Sequence, residues 1–134
     1  MTNDVADRLG LPDPLIAIVG ATDHPGKYGG IIYRNLKAKG YRVVGVNPGR
    51  SEVDGDKAFA SLADLPETPD IVNVVIPPHR TLSLLDEVAE LDDPAVWIQP
   101  GAADAAVHDR VQALGMNALI DACIMVVARP RATS

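Results

Sequence analysis

Leu15-Ile16-Ala17-Ile18-Val19-Gly20, followed by Ala21-Thr22 and, a few residues on, by Gly26-Lys27-Tyr28-Gly29-Gly30, decides the fold. The first six residues are apolar and rich in β-branched side chains, set off by Pro14 and ended by glycine. That is the pattern of a strand buried on both faces. Polar residues with Pro25 and Gly26 then break any regular structure. From about Gly29 to Lys39 the periodicity becomes helical, with Ile32 and Leu36 on one face and Ile31 beside them. Lys37 and Lys39 suit the negative end of that helix's dipole, and Gly40 suits its C′ position. A buried strand, a Gly-rich loop and a helix therefore follow one another.

The alternation continues outward from there. Tyr41–Val46 reads as a strand stopped by Asn47, Pro48 and Gly49; Val53–Lys57 reads as a turn, and Ser61–Leu65 as one helical turn with Ser61 and Asp64 spaced as a capping box. Asp70–Ile76 is a third main strand stopped by Pro77 and Pro78. Thr81–Leu91 is an amphipathic helix, Ala95–Gln99 a strand, Ala103–Leu114 a helix stopped by Gly115, and Asn117–Asp121 a last short strand. Strands alternating with helices predict an α/β fold: a three-layer, Rossmann-like, doubly wound parallel sheet with helices on both faces. The expected organisation is a polar extension over 1–14, one domain over 15–128 and a frayed polar tail over 129–134.

Composition narrows the function. The chain has 134 residues, room for one domain. Only 4% are aromatic, so the core must be aliphatic. A net charge of −6 argues against non-specific nucleic-acid binding, which needs a basic face. No stretch reads as a signal peptide or a membrane span, and Cys123, the single cysteine, cannot form an internal disulfide. A cytoplasmic location is the expectation.

In an open α/β sheet, ligands bind beyond the carboxyl ends of the strands, where the strand order reverses. Those ends read Gly20-Ala21-Thr22, Asn47-Pro48-Gly49-Arg50, Ile76-Pro77-Pro78-His79 and Gln99-Pro100-Gly101, and none carries a carboxylate. The first loop precedes a helix whose free amides make an anion site. Gly26, Gly29 and Gly30 would let a phosphate approach, Lys27 would add charge, and Thr22 and Tyr28 would donate hydroxyl hydrogen bonds. The plainer reading beside this one is that the glycines only allow tight packing of helix on strand. The dinucleotide fingerprint G-x-G-x-x-G is absent, since Gly20 is followed by Ala21-Thr22-Asp23-His24-Pro25. The acidic ribose ligand is absent too, because the second strand ends in Asn47-Pro48. A ligand with an extra phosphate would suit that end better, and Arg50 could pair with it.

These residues resemble a known family. IAIVGAT, then KYGGIIYRNLKAKGYRVVGVNP, Val53-x-Gly55, SLADLPETPDIVNVV with Pro78 after it, VWIQPG and LIDACI are similar, in that order, to small CoA-binding proteins related to the nucleotide-binding domain of succinyl-CoA synthetase α subunits. The likeness runs from about Leu15 to about Val127. It implies a Rossmann-like domain that binds coenzyme A. It implies phosphate contacts at Gly20, Ala21, Thr22, Lys27 and Tyr28, with Asn47, Pro48, Arg50, Pro77, Pro78 and His79 enclosing the adenosine end. Many relatives carry Arg and Ser in the first loop where this chain has Lys27 and Gly29.

The remaining chemistry-bearing residues have plain readings beside functional ones. His24, His79 and His108 are scattered, without metal-ligand spacing, so no metal site is expected. His79 stands at a strand end, as a ligand contact or a surface helix start. Cys123 is a small buried hydrophobe or, if exposed and of low pKa, a thiol able to form a mixed disulfide with CoA. Trp97 belongs to the core, and Asp86, Glu87 and Glu90 to the wet side of a helix. No catalytic residue stands out. The leading expectation is a module that binds CoA or acyl-CoA without a complete active site of its own, as carrier, sensor or partner subunit. The alternatives are a component of an acyl-CoA ligase, active only with a partner chain, and an NAD(P)-binding regulatory domain. Homo-oligomerisation through a helix face or the last strand stays open.

Overall fold

The computed structural model describes residues 4–131. Its centre is β1 (Leu15–Val19), every residue of which is buried. It is followed by α2 (Tyr28–Ala38), β2 (Arg42–Val46), β3 (Glu52–Val53), β4 (Asp56–Phe59), β5 (Ile71–Val74), α3 (Pro78–Val88), β6 (Ala95–Ile98), α4 (Ala105–Leu114), β7 (Asn117–Ile120) and α5 (Ile124–Val127), with α1 (Asp4–Asp7) ahead of them all. The seven strands form one sheet in the order β3-β4-β2-β1-β5-β6-β7. All pairings are parallel except β3–β4. Numbered in chain order, the six parallel strands β1, β2, β4, β5, β6 and β7 run 3-2-1-4-5-6 across the sheet. That is the doubly wound dinucleotide-binding order, with its reversal between β1 and β5.

Two-residue alternation along β1 divides the core into two layers. Ile16 and Ile18 meet Ile32, Tyr33 and Leu36 of α2, Ile124 of α5 and Val5 of α1. Ala17 and Val19 face Leu84, Leu85 and Val88 of α3 and Val107 and Val111 of α4. Helices thus cover both faces, as the periodicity predicts. Gly40 (φ 94°) and Gly115 (φ 63°) stop their helices in the conformation that favours glycine. Asp104 caps α4, its carboxylate accepting from the Val107 N–H at 3.0 Å. Asp104→Ala is expected to cost about 1 kcal/mol in urea denaturation.

Several sequence-based expectations need correction. Val53–Lys57 is more than a turn: Asp54 (φ 52°) and Gly55 (φ 79°) form the tip of the β3–β4 hairpin, both at the positive φ that a two-residue hairpin demands. Helix α3 begins at Pro78, because proline is well suited to a first helical position and its missing N–H costs nothing there. Ser61 does not cap a backbone amide; its hydroxyl bonds the Asp64 carboxylate at 3.0 Å. Residues 4–14 are not merely polar, since Val5 and Leu9 are buried in the core. Nor is the tail frayed over 129–131. The Arg131 guanidinium donates to the carbonyls of Leu9, Leu11 and Pro12, and Tyr41 donates to the Arg129 carbonyl. Residues 132–134 lie outside the described residues. No helix among the described residues is long and apolar enough to cross a membrane.

Candidate functional site

At the reversal, the carboxyl ends of β1, β2, β5 and β6 open onto a cavity of about 630 Å³. Volumes of about 300–1,000 Å³ are usual for small-molecule and cofactor sites. Its floor is held by main-chain bonds between neighbouring strand ends, Gly20 N–H to Val46 O at 2.9 Å and Val75 N–H to Val19 O at 3.0 Å. Gly20 must be glycine: its φ is 103°, and a Cβ there would stand 2.7 Å from Val75 O.

The two walls differ chemically. On one side α2 starts at Tyr28, and no side chain caps its N-terminus. Its first-turn amides are the positive end of the helix dipole. Lys27, Thr22, His24 and Gly29 line the cavity there. On the other side Val75, Ile76, Pro77 and Pro78 line it; the prolines have no N–H, so this wall offers apolar surface rather than donors. Arg80, in the first turn of α3, reaches the same cavity, and Pro100, Gly101 and Ala102 close the far end. No carboxylate lines the cavity.

Of the residues read from the sequence, Gly20, Thr22, Lys27, Tyr28, Asn47, Pro48, Pro77 and Pro78 converge on this cavity, and three do not. Ala21 is fully buried in the core beneath the loop. His79 faces a smaller recess of about 260 Å³ beside Ser61, Ser83 and Glu87. Arg50 is turned away, its guanidinium 3.1 Å from Asp23 and its Nε donating to the Glu52 carbonyl at 3.3 Å. Asp23 also accepts from the Asp54 N–H at 2.8 Å, so the hairpin draws both charges out of the cavity. Asn47 lines the wall, yet its side chain is occupied within the protein: Nδ2 donates to Ala21 O at 3.0 Å, and Oδ1 accepts from the Gly49 N–H at 2.9 Å. It fixes the two loops against each other. Sequence reading missed His24, Arg80 and Ala102. A helix start at Pro78 would have put Arg80 in a first turn at a strand's carboxyl end.

The two helical glycines serve packing. A Cβ on Gly29 would fall on Gly20 O and 2.8 Å from Gly20 C, and one on Gly30 would fall on Thr22 O. A serine at position 29 would meet the same obstacle, so the backbone here differs from what a Ser-bearing loop needs.

Away from the cavity, Tyr33 and Lys37 of α2 bind Asp56 of the hairpin at 2.8 Å each. Burial and then the hydrogen bond to Asp56 raise the Tyr33 phenol far above its ordinary value. Lys37 and then Tyr33 hold the Asp56 carboxyl below the usual range. Any stability from that depression is present at neutral pH and is lost as pH falls through the folded value. A second polar group links β5, β6 and α5: Gln99 Oε1 accepts from Asn73 Nδ2 at 3.1 Å and from the Ile124 N–H at 2.9 Å, while Nε2 donates to Cys123 Sγ at 3.4 Å. Cys123 is half-buried and does not line the cavity. Trp97 is fully buried and donates to Ala122 O at 2.7 Å. Among the described residues no three His, Cys, Asp or Glu side chains are grouped to hold a metal.

Strand order, switch-point crevice and uncapped helix together define a Rossmann-like α/β domain with an open crevice at its switch point. Comparison with known proteins then places it more closely. Residues 15–129 match the family model of the CoA binding domain, and the chain belongs to that family. It is 31% identical over 111 residues to the uncharacterized protein YneT of Bacillus subtilis, covering 83% of this chain and 82% of that one. It is 30% identical over 103 residues to the ADP-forming acetate–CoA ligase I of Archaeoglobus fulgidus, covering 76% of this chain but 15% of the ligase. The solved structure of cell-free ID.343 from Thermus thermophilus superposes with a TM-score of 0.81 at 34% identity, covering 95% of this chain and 96% of that one. The chain is thus a CoA-binding domain related to a domain of ADP-forming acetate–CoA ligases.

Proposed function

We propose that the cavity binds coenzyme A or acyl-CoA, and that the chain acts as a carrier, a sensor or a partner subunit rather than as an enzyme by itself. The observation that carries this is electrostatic. In a chain of net charge −6, the switch-point cavity is lined by the cations Lys27 and Arg80 and by no carboxylate. Such a site selects a polyanion. The pyrophosphate would take the uncapped amides at the start of α2, with Lys27 and the Thr22 hydroxyl beside them. Arg80 replaces Arg50 as the cation for the 3′-phosphate, because Arg50 already has a carboxylate. The adenosine end would lie between Asn47-Pro48 and the apolar Pro77-Pro78 wall. The ADP-forming ligase relative favours a partner subunit in acyl-CoA chemistry; the rest of such an enzyme would have to come from elsewhere. An NAD site is disfavoured because the end of β2 presents Asn47-Pro48, with no carboxylate for a ribose 2′-hydroxyl.

Calorimetric titration with CoA, dephospho-CoA, NAD and NADP in one buffer tests this. Saturable CoA binding, at least about tenfold weaker for dephospho-CoA, is expected for a charge-assisted phosphate contact. Binding of NAD or NADP without CoA would overturn the proposal.

A further inference from the structure

We infer that His24 is a third cationic contact of this anion site, one that acts only when its ring is protonated; the inference rests on the CoA reading above. His24 stands in the loop between β1 and α2 and lines the cavity with Lys27 and Arg80. It is held from two directions. Its main-chain N–H donates to Thr22 Oγ1 at 3.2 Å, and its Nδ1 lies 3.0 Å from the Pro25 carbonyl oxygen. A carbonyl oxygen only accepts, so Nδ1 carries the proton of that bond. In the neutral ring Nε2 is therefore a bare acceptor, which disfavours a neighbouring anion. On protonation the same atom becomes a donor and the ring becomes a cation. The sign of this residue's contribution to anion binding thus changes with its charge.

The other charged and ionisable groups around His24 are few. Asp23, its neighbour in the loop, is engaged by Arg50 and by the Asp54 N–H. From α2 and its N-cap, Lys27 and Tyr28 face the cavity; from α3, Arg80 faces it; the Asn47-Pro48 and Pro100–Ala102 segments bring no titratable group. A bound pyrophosphate favours the protonated ring, so by reciprocity protonation strengthens pyrophosphate binding.

The test is the affinity for dephospho-CoA at pH 5.5 and pH 8.5, measured by calorimetry. That ligand is chosen because it lacks the phosphate monoester, whose second ionisation near pH 6 would itself titrate in this range. Binding about tenfold tighter at pH 5.5 is expected, the size of one charge-assisted contact. His24→Gln should reduce the ratio to less than about twofold, whereas His24→Lys, a permanent cation, should bind tightly at both pH values. His79→Gln, in the neighbouring recess, should keep the wild-type ratio. An unchanged ratio in H24Q, a ratio lost in H79Q instead, no pH dependence in the wild type, or binding of CoA with none of dephospho-CoA would each overturn the inference while leaving the CoA reading intact. Failure of both ligands to bind at either pH would overturn the CoA reading and this inference with it.

Discussion

Arg80→Ala is expected to weaken CoA binding by about 10- to 100-fold, and Arg50→Ala by less than about threefold. The two arginines stand on either side of the same strand ends and could not be ranked by composition. What ranks them is the company they keep. Arg50 is paired with Asp23 at 3.1 Å on the protein surface, with about a third of its side chain exposed. Such exposed pairs contribute about 0–1 kcal/mol, and a guanidinium already facing a carboxylate has little field left for a phosphate. Arg80 lines the cavity, and no described carboxylate pairs with it. A charge-assisted hydrogen bond from guanidinium to phosphate contributes about 1.5–3 kcal/mol, which is one to two decades of affinity. The variant should also lose most of the wild-type preference for CoA over dephospho-CoA, because the lost contact is the one to the 3′-phosphate. Calorimetry on the two variants decides it. A larger loss in R50A than in R80A would return the 3′-phosphate to the Asn47–Arg50 turn, as the sequence alone suggests.

What the sequence made legible, and what it did not, follows from the range of the interactions involved. Buried parallel strands such as Leu15–Val19 declare themselves by an unbroken apolar run, and helix stops such as Gly40 and Gly115 by a local backbone demand. Both are properties of a few adjacent residues. The loop from Ala21 to Lys27 has a local sign too, because a strand ended by Gly20 and a helix follow one another there. The fate of Arg50 was not legible, because its partner Asp23 is 27 positions away and meets it only once the β3–β4 hairpin has folded over the first loop. The hairpin itself has a local sign, the Asp54-Gly55 pair at positive φ, which by sequence alone reads equally as a plain turn. The anchoring of Arg131 on the carbonyls of Leu9, Leu11 and Pro12 joins the two ends of the chain, and polar composition at each end gave no hint of it.

Gly29→Val is expected to destabilise the domain by about 3 kcal/mol or more in urea denaturation, and Gly29→Ala to be destabilising too. Two effects oppose each other at this position. Helix propensity favours the alanine substitution, since Gly to Ala in a helix interior gains about 1 kcal/mol. Sterics oppose it: residue 29 is buried in the first turn of α2, where its Cβ would fall on Gly20 O and 2.8 Å from Gly20 C. Those atoms are backbone, fixed by the bond from Gly20 N–H to Val46 O, and cannot swing aside as a flexible side chain would. The steric effect therefore wins, and the sign of the change separates the two accounts. Gly10→Ala is the control, because a Cβ there meets nothing within 4 Å; it should stay within about 0.5 kcal/mol. The same contact ties stability to binding. Helix α2 can relieve the clash only by moving away from β1, and its first-turn amides would move with it. A folded Gly29→Ala protein should accordingly bind CoA more weakly than the wild type, because the amides move, the added methyl group itself being directed at Gly20. Wild-type affinity in a destabilised G29A variant would show that the pyrophosphate is held elsewhere than at the start of α2. A gain in stability would show that helix and strand are less closely apposed than the Gly20–Gly29 contact requires.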